Sequence, residues 1–198
     1  MKILIVGATG VLGRATVPHL GGHEVLGTTR VAGRREVLEA LGVRAAICDI
    51  YEPGALEGVA RAYAPEVVVN FLTDLSAGPG PANGRIRREG GPLVAAAARA
   101  AGARRLVVES IAFEVGAESA AAVAVLEEDA LASGLEVLAL RFGRFWGPGT
   151  WATDRPPEPP FIHVAEAGRR AAALIVSGRP GVHVIAEPAA GPATSPRP

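Results

Sequence analysis

Short apolar runs alternate with segments of helical period along most of this chain. The runs have the length and composition of buried parallel strands, and they lie at residues 3–6, 24–28, 43–48, 67–71, 106–109, 136–140 and 182–185. The helical segments lie at residues 11–20, 35–41, 53–62, 92–101, 119–133 and 164–177. Strand and helix alternate with short links, which predicts an α/β fold of the Rossmann type. We expect a doubly wound parallel sheet of about seven strands with helices on both faces.

Proline and glycine modify this pattern in a few places. Pro18 removes one backbone hydrogen bond from the first helix and predicts a bend or an early end there, whereas Pro53 suits the first turn of its helix. Residues 73–91 and 143–160 are rich in glycine and proline and are expected to be irregular. From residue 187 onward proline, alanine and glycine dominate. We therefore predict one domain over residues 1–186 and a flexible tail over residues 187–198.

A glycine-rich turn follows the first strand directly. Gly7, Gly10 and Gly13 stand at three-residue spacing between an apolar run and a helical segment. In such a turn the first glycine permits the sharp bend, the second lets a pyrophosphate approach the backbone, and the third lets the helix pack on the strand. The helix N-terminus adds a partial positive charge. Glycine triplets are common, but this position at the end of a strand favours a nucleotide site.

Composition narrows the range of partners. The chain has 198 residues, and 20 basic residues balance 20 acidic ones. Zero net charge offers no electrostatic reason to expect nucleic acid or an anionic membrane as partner. No apolar run reaches the length of a membrane span, and the N-terminal run is too short for a signal peptide. The single cysteine, Cys48, excludes an internal disulfide and suits a reducing cytosol, so we expect a cytoplasmic protein in which Cys48 is a buried apolar residue.

The ordered set of motifs resembles the short-chain dehydrogenase/reductase superfamily. The likeness is to its extended NAD-dependent epimerase/dehydratase branch and to atypical NmrA-like relatives. It is carried by residues 7–13, 48–50, 68–72, 97–107, 140–143, 147–149 and 161–164. Each segment alone is unspecific, but together they follow the order of the family along nearly the whole chain.

The resemblance implies a dinucleotide along the ends of the first strands. Contacts to its pyrophosphate fall to Thr9, Gly10, Val11 and Leu12. Contacts to the adenine fall to Asp49, which would accept a hydrogen bond from the amino group, and to Ile50. Phe71, Leu72 and Thr73 would run under the ribose and the nicotinamide. For Asp49 the alternative is an ordinary turn residue after a strand.

The end of the second strand bears on the choice of cofactor. An NAD site normally has an acidic residue about twenty positions beyond the glycines, where it holds the ribose hydroxyls. Here Thr29 takes that place and Arg30 follows. A guanidinium can grip a 2′-phosphate with two hydrogen bonds. We therefore expect NADP in preference to NAD, with Arg34 and Arg35 either helping or simply solvated.

The resemblance fails at the catalytic residues. Members of the family use a Tyr-x-x-x-Lys pair, in which the ammonium lowers the pKa of the tyrosine that transfers the proton. Alignment on residues 126–135 puts Ser119 and Val123 at those positions. No tyrosine follows Tyr63 and Lys2 is the only lysine, so a shift of register cannot restore the pair.

Other polar residues remain near the expected active site. Ser110 matches the catalytic serine of the family, where its hydroxyl would contact substrate or nicotinamide, although a structural role is equally open. Three carboxylates, Asp74, Glu109 and Glu114, are candidate bases if suitably buried. An asparagine of the family is replaced by Arg87.

The segment for the substrate is strongly reduced. Only eleven residues separate Gly149 from Phe161, where extended members insert a longer lobe. Trp146 and Trp151 either roof the pocket or pack on the sheet. His163 matches an Ile-His-Val element of the family, and the scattered histidines show no metal-ligand spacing, so we expect no metal.

Three functions remain open. The first is an atypical NADP-dependent oxidoreductase acting on a small carbonyl or polar substrate without the classical catalysts. The second is a cofactor-binding redox sensor or regulator without turnover. The third is an auxiliary subunit of a partner enzyme, in which residues 73–91 would form the interface.

In the first two functions, residues 73–91 would be either a solvated connection or a clamp for substrate or phosphate. The family often forms homodimers through two helices, here residues 92–101 and 119–133, and the alanine-rich faces of these segments fit either such a dimer or an ordinary monomer.

Overall fold

The computed structural model describes residues 1–74 and 80–187, and its main sheet has seven parallel strands in the order β3-β2-β1-β4-β5-β6-β9. The strands are β1 Lys2–Val6, β2 Glu24–Thr29, β3 Arg44–Ile47, β4 Val67–Asn70, β5 Arg105–Ile111, β6 Glu136–Phe142 and β9 Gly181–Ile185. β1 pairs with β2 on one side and with β4 on the other. The strand order therefore reverses beside β1, and the crevice at this switch point is where open α/β sheets bind ligands.

Helices cover both faces of the sheet, as predicted. They are α1 Val11–Thr16, α2 Arg35–Ala40, α3 Ala55–Tyr63, α4 Pro81–Arg85, α5 Gly91–Ala100, α6 Ala117–Leu131 and α7 Val164–Ser177. α1 packs on α7 over one face, and α3, α5 and α6 pack side by side over the other. One apolar cluster lies under each layer. Residues 3–6 of β1 are completely buried because both layers meet on this central strand.

The boundaries of the first and third helices follow their prolines. α1 ends at Thr16, before the predicted end at Leu20, and a 3-10 turn, Val17–His19, contains Pro18, which agrees with the expected early end of the helix. The prediction for Pro53 is wrong, because α3 begins only at Ala55. Gly54, with φ of 75°, precedes it in the left-handed conformation, so Pro53 lies before the helix and not in its first turn.

The prediction of an irregular segment at residues 73–91 is wrong for its second half. Residues 81–90 form α4 and a π-helical turn, Ile86–Gly90, that runs into α5. The glycines here serve close packing. A Cβ added to Gly90 would lie 2.8 Å from the Ile50 side chain, and one added to Gly91 would lie 2.6 Å from that of Leu126. Residues 75–79 lie outside the described part of the chain.

Residues 143–160 also contain regular structure that their composition did not predict. β7, Arg144–Trp146, pairs in parallel with β8, Phe161–His163, in a separate two-stranded sheet. Glu187 closes this unit, because its carboxylate accepts hydrogen bonds from the His163 backbone N–H at 2.7 Å and from the Trp146 indole at 3.3 Å. The rest of the predicted tail, residues 188–198, lies outside the described residues. Among the helices described, none is long and apolar enough to cross a membrane.

Candidate active site

The glycine turn has the geometry that its spacing predicts. Gly7 has φ of 88°, and a Cβ there would lie 2.7 Å from the Phe71 carbonyl oxygen, so only glycine lets β1 and β4 approach at this point. The Gly10 N–H closes the turn by donating to the Gly7 carbonyl at 3.0 Å. Gly13 is buried, and its Cβ would lie 2.5 Å from the Ala8 backbone. Gly13 therefore serves packing, not ligand contact.

A cavity of about 290 Å³ opens above this turn at the carboxyl ends of β1 to β4. Ten of the thirteen predicted cofactor residues line it, namely Gly7, Thr9, Gly10, Thr29, Arg30, Asp49, Ile50, Phe71, Leu72 and Thr73. The other three, Val11, Leu12 and Gly13, form the first turn of α1 behind it. Gly10 is exposed, and among the residues described a Cβ added to it would meet only the Gly7 carbonyl oxygen, at 3.2 Å. This open space beside a bare backbone fits the close approach of a pyrophosphate.

Two arginines and an aspartate surround the end of β2. The Thr29 side chain is buried, and its hydroxyl accepts a hydrogen bond from the Val31 backbone N–H at 3.2 Å. Arg30 projects into solvent with 61% of its side chain exposed, and its guanidinium lies 3.7 Å from a carboxylate oxygen of Asp74. Arg34 also lines the cavity. The strand end thus offers cationic side chains, and the nearby carboxylate comes from a different strand.

The far end of the cavity is suited to an aromatic ring. Asp49 accepts a hydrogen bond from the Tyr51 backbone N–H at 3.0 Å, which fixes the turn and presents the carboxylate at the cavity. The Arg85 guanidinium lies 4.3 Å from the centre of the Tyr51 ring. Burial raises the pKa of the Cys48 thiol, which is consistent with its predicted role as a buried apolar residue.

Tyr51 and Ile86 line the cavity but were not predicted. Tyr51 follows the Asp49-Ile50 pair directly, and this aromatic neighbour was an available signal. Ile86 belongs to the π-helical turn, in a segment that was predicted to be irregular because it is rich in glycine and proline.

Ser110 does not face the cavity. It is fully buried, and its hydroxyl donates to the carboxylate of Glu127 on α6. The same carboxylate accepts two hydrogen bonds from Arg141, at 2.9 and 2.6 Å. The Arg141 guanidinium, opposed in part by burial, lowers the pKa of Glu127. Of the two roles open for Ser110, the geometry supports the structural one, in which it helps to join β5, β6 and α6.

The three candidate bases have different surroundings. Glu114 is exposed, and Asp74 faces Arg30. Glu109, partly buried at the end of β5, is the most perturbed, because burial raises its pKa from 4.5 to about 7 against the opposing attraction of Arg87. Arg87 is itself 6% exposed, and burial lowers its pKa. Glu109 is therefore the carboxyl closest to changing its charge at neutral pH.

The positions of the missing catalytic pair lie on α6. Val123 lines a second cavity of about 520 Å³ between α6 and the ends of β5 and β6, whereas Ser119 is partly buried outside it. The other apolar residues that line this second cavity are Ile111, Phe113, Val115, Ala120, Ala124 and Leu131. Across the ranges described, no group of three or more potential ligands is arranged to hold a metal ion.

Comparison with known proteins gives one relative in sequence and many in fold. The chain is 34% identical over 233 residues to a 3-diazoavenalumate denitrifying reductase from a Streptomyces species, and the match covers 93% of this chain and 75% of the relative. The fold resembles that of UDP-glucose 4-epimerase from Thermus thermophilus, solved in complex with NAD, with a TM-score of 0.76 and 18% identity. That match covers 94% of this chain and 78% of the epimerase.

The Bordetella bronchiseptica enzyme WbmG, also solved with NAD, has a TM-score of 0.74 and 22% identity to this chain. The match covers 94% of this chain and 72% of WbmG. Residues 3–133, which include the glycine turn and the strands that line the cavity, match the NAD dependent epimerase/dehydratase family. With the strand order, the cavity and a relative above 30% identity, this match shows that the chain belongs to the NAD dependent epimerase/dehydratase family.

Proposed function

We propose that this protein is an NADP(H)-dependent reductase that acts on a small electrophilic substrate without a tyrosine–lysine pair. The observation that carries the proposal is the cavity at the ends of β1 to β4, where ten predicted residues meet around the open space at Gly10. The Gly7–Gly10 turn would hold the pyrophosphate. Asp49, Ile50 and Tyr51 would hold the adenine, and Phe71 and Leu72 would form the floor under the nicotinamide. When bound, the reduced cofactor supplies a hydride.

The preference for NADP(H) rests on charge at the end of β2. Thr29 stands where an NAD site normally has an acidic residue, so no acidic group from this strand holds the ribose hydroxyls. The Thr29 hydroxyl itself accepts a hydrogen bond from the Val31 backbone N–H. Arg30 and Arg34 line the cavity beside it. Two guanidinium groups favour the 2′-phosphate, which distinguishes NADP from NAD.

The substrate class follows from the missing proton donor. A carbonyl that accepts a hydride also needs a proton on its oxygen, and the tyrosine supplies it in the family. The relative from Streptomyces is named a denitrifying reductase of a diazo compound. When an aryl diazonium accepts a hydride, a C–H bond forms and the C–N electron pair leaves with neutral N₂, so no protein proton is required. We therefore favour an aromatic diazonium substrate over a carbonyl compound.

Isotope transfer tests this proposal directly. The protein would be incubated with NADPH deuterated at C4 of the nicotinamide and with an aryl diazonium salt, beside an enzyme-free blank and a panel of aldehydes and ketones. We expect N₂ release and deuterium in the arene at a rate well above the blank. Turnover of carbonyl compounds alone would refute the diazonium assignment.

A cofactor-binding sensor without turnover is the second candidate, because the Ser110 hydroxyl is buried against Glu127 and is not presented at the expected catalytic position. Tight NADPH binding with no hydride transfer to any substrate would favour it.

The role of Arg30 has its own test. Replacing Arg30 with Ala should weaken NADPH binding about tenfold or more and leave NADH binding nearly unchanged, since a charged hydrogen-bonding partner of the phosphate is lost. Arg61→Ala is the matched control, because Arg61 is an exposed arginine in the last turn of α3, and this end of the helix lies at the amino ends of the strands, where Tyr63 donates to the Glu24 carbonyl. Equal losses for both dinucleotides in Arg30→Ala would remove the basis for the NADP preference.

A further inference from the structure

The carboxylate nearest the cationic end of the cavity belongs to Asp74, which follows β4. Its oxygen lies 3.7 Å from the Arg30 guanidinium, although the two residues are 44 positions apart and leave different strands. Both side chains line the same cavity. The acidic group that the end of β2 lacks is therefore present at the site, but it is supplied by another part of the chain.

Local hydrogen bonds fix the backbone on both sides of this pair. The Asp74 N–H donates to the side-chain oxygen of Asn83, a buried residue of α4, at 3.1 Å. On the other side, the Thr29 hydroxyl holds the turn at Val31 that presents Arg30. Only 21% of the Asp74 side chain is exposed, against 61% for Arg30. The aspartate is therefore the better-positioned member, and the arginine is the one that can move toward a ligand.

We propose that Asp74 is a specificity-determining residue that opposes a 2′-phosphate and accepts hydrogen bonds from the ribose hydroxyls of NAD(H). This inference rests on the dinucleotide site of the proposed function. A 2′-phosphate must draw Arg30 away from Asp74 and then lie within a few ångströms of a like charge, which weakens its binding. NAD(H) carries no such charge and leaves the ion pair intact. The pair thus moderates the preference for NADP(H) that Arg30 and Arg34 create.

Asp74→Asn is a clean perturbation, because it removes the charge and keeps the shape of the side chain. An ion pair this long and this exposed contributes little to folding, so the variant should fold like the wild type. We expect the dissociation constant for NADPH to fall about tenfold, since like charges brought close within a site cost that much or more. The constant for NADH should rise, because the amide oxygen of Asn accepts hydrogen bonds from the ribose hydroxyls less strongly than the carboxylate does. The gain for NADPH should shrink at high ionic strength.

The experiment measures both dissociation constants by calorimetry for the wild type, Asp74→Asn, Arg30→Ala and the double variant. Glu57→Gln is the matched control, because Glu57 is a half-exposed acidic residue on α3 that, like Asp74, pairs with an arginine, here Arg61, at 3.7 Å. If Asp74 acts through Arg30, part of its effect on NADPH should disappear in the Arg30→Ala background. An NADPH-to-NADH ratio that changes by less than about twofold in Asp74→Asn, or that moves toward NADH, overturns the inference.

The outcome also separates this inference from the proposed function. A wild type that binds no dinucleotide overturns both. A wild type that prefers NADH, but whose Asp74→Asn variant moves toward NADPH, contradicts the proposed NADP preference and supports the role of Asp74. Unaltered selectivity in Asp74→Asn, with strong NADPH binding throughout, refutes the role of Asp74 alone.

Discussion

Replacing Glu109 with Gln should raise the free energy of unfolding at alkaline pH and leave it nearly unchanged at acidic pH. Glu109 stands at the end of β5, partly buried, with Arg87 as the opposing charge. Burial raises its pKa from 4.5 to about 7, even with that attraction included. The folded protein therefore holds this proton more tightly than the unfolded chain does. Glutamine has the shape of the protonated acid and cannot ionise.

The size and the pH window follow from linkage. Well below pH 4.5 the carboxyl is protonated in both states and does not change the free energy of unfolding. Between pH 4.5 and 7 the unfolded chain binds fewer protons than the folded one, so the free energy of unfolding falls as pH rises. Above pH 7 the loss is complete. One pKa unit is worth about 1.4 kcal/mol, so the shift from 4.5 to about 7 makes the full loss roughly 3 to 4 kcal/mol.

Urea unfolding at pH 5, 6, 7 and 8 measures this difference. The Glu109→Gln variant should exceed the wild type by no more than about 1 kcal/mol at pH 5 and by roughly 3 kcal/mol at pH 8. Glu128→Gln, which removes an exposed carboxylate from α6, is the control and should show no such divergence. If the curves for Glu109→Gln and wild type run parallel across this range, the low-dielectric environment assigned to Glu109 is wrong.

Four glycine substitutions test the turn and the packing of the helices. Gly7→Ala should lose both cofactor binding and about 2 kcal/mol of stability, because its φ of 88° and the backbone after β4 exclude a side chain. Gly10→Ala, at a φ of −67°, should fold normally and lose dinucleotide affinity alone, as calorimetry and urea unfolding would show. Gly168→Ala should destabilise the protein by about 2 kcal/mol, since its Cβ would lie 2.3 Å from the α1 backbone. Gly58→Ala, at an exposed position of α3 with open space around it, should stabilise the protein by about 1 kcal/mol. Normal stability in Gly168→Ala would contradict the α1–α7 packing.

The sequence by itself determined the layered sheet, the glycine turn and most of the cofactor cavity. These features are local, because a strand, a turn and a helix that follow one another carry their periodicity and their glycines in adjacent residues. Parallel strands place their carboxyl ends at one edge, so residues after β1, β2, β3 and β4 had to meet there. Gly10 and Arg30 could therefore be assigned to one site from their places in the sequence, and the family resemblance added Asp49 and Phe71 to it.

Only the tertiary structure decided which side chains face that site and which partners they have. Ser110 lies at the right strand end, but which face of β5 it occupies depends on α6, whose Glu127 accepts its hydrogen bond. The Arg30–Asp74 pair joins two strands, and no spacing in the sequence relates them. Glycine signals either flexibility or close packing, and at Gly90 only the distance to the Ile50 side chain shows that packing is the reason. Such contacts join residues far apart in the chain, so local sequence pattern does not encode them.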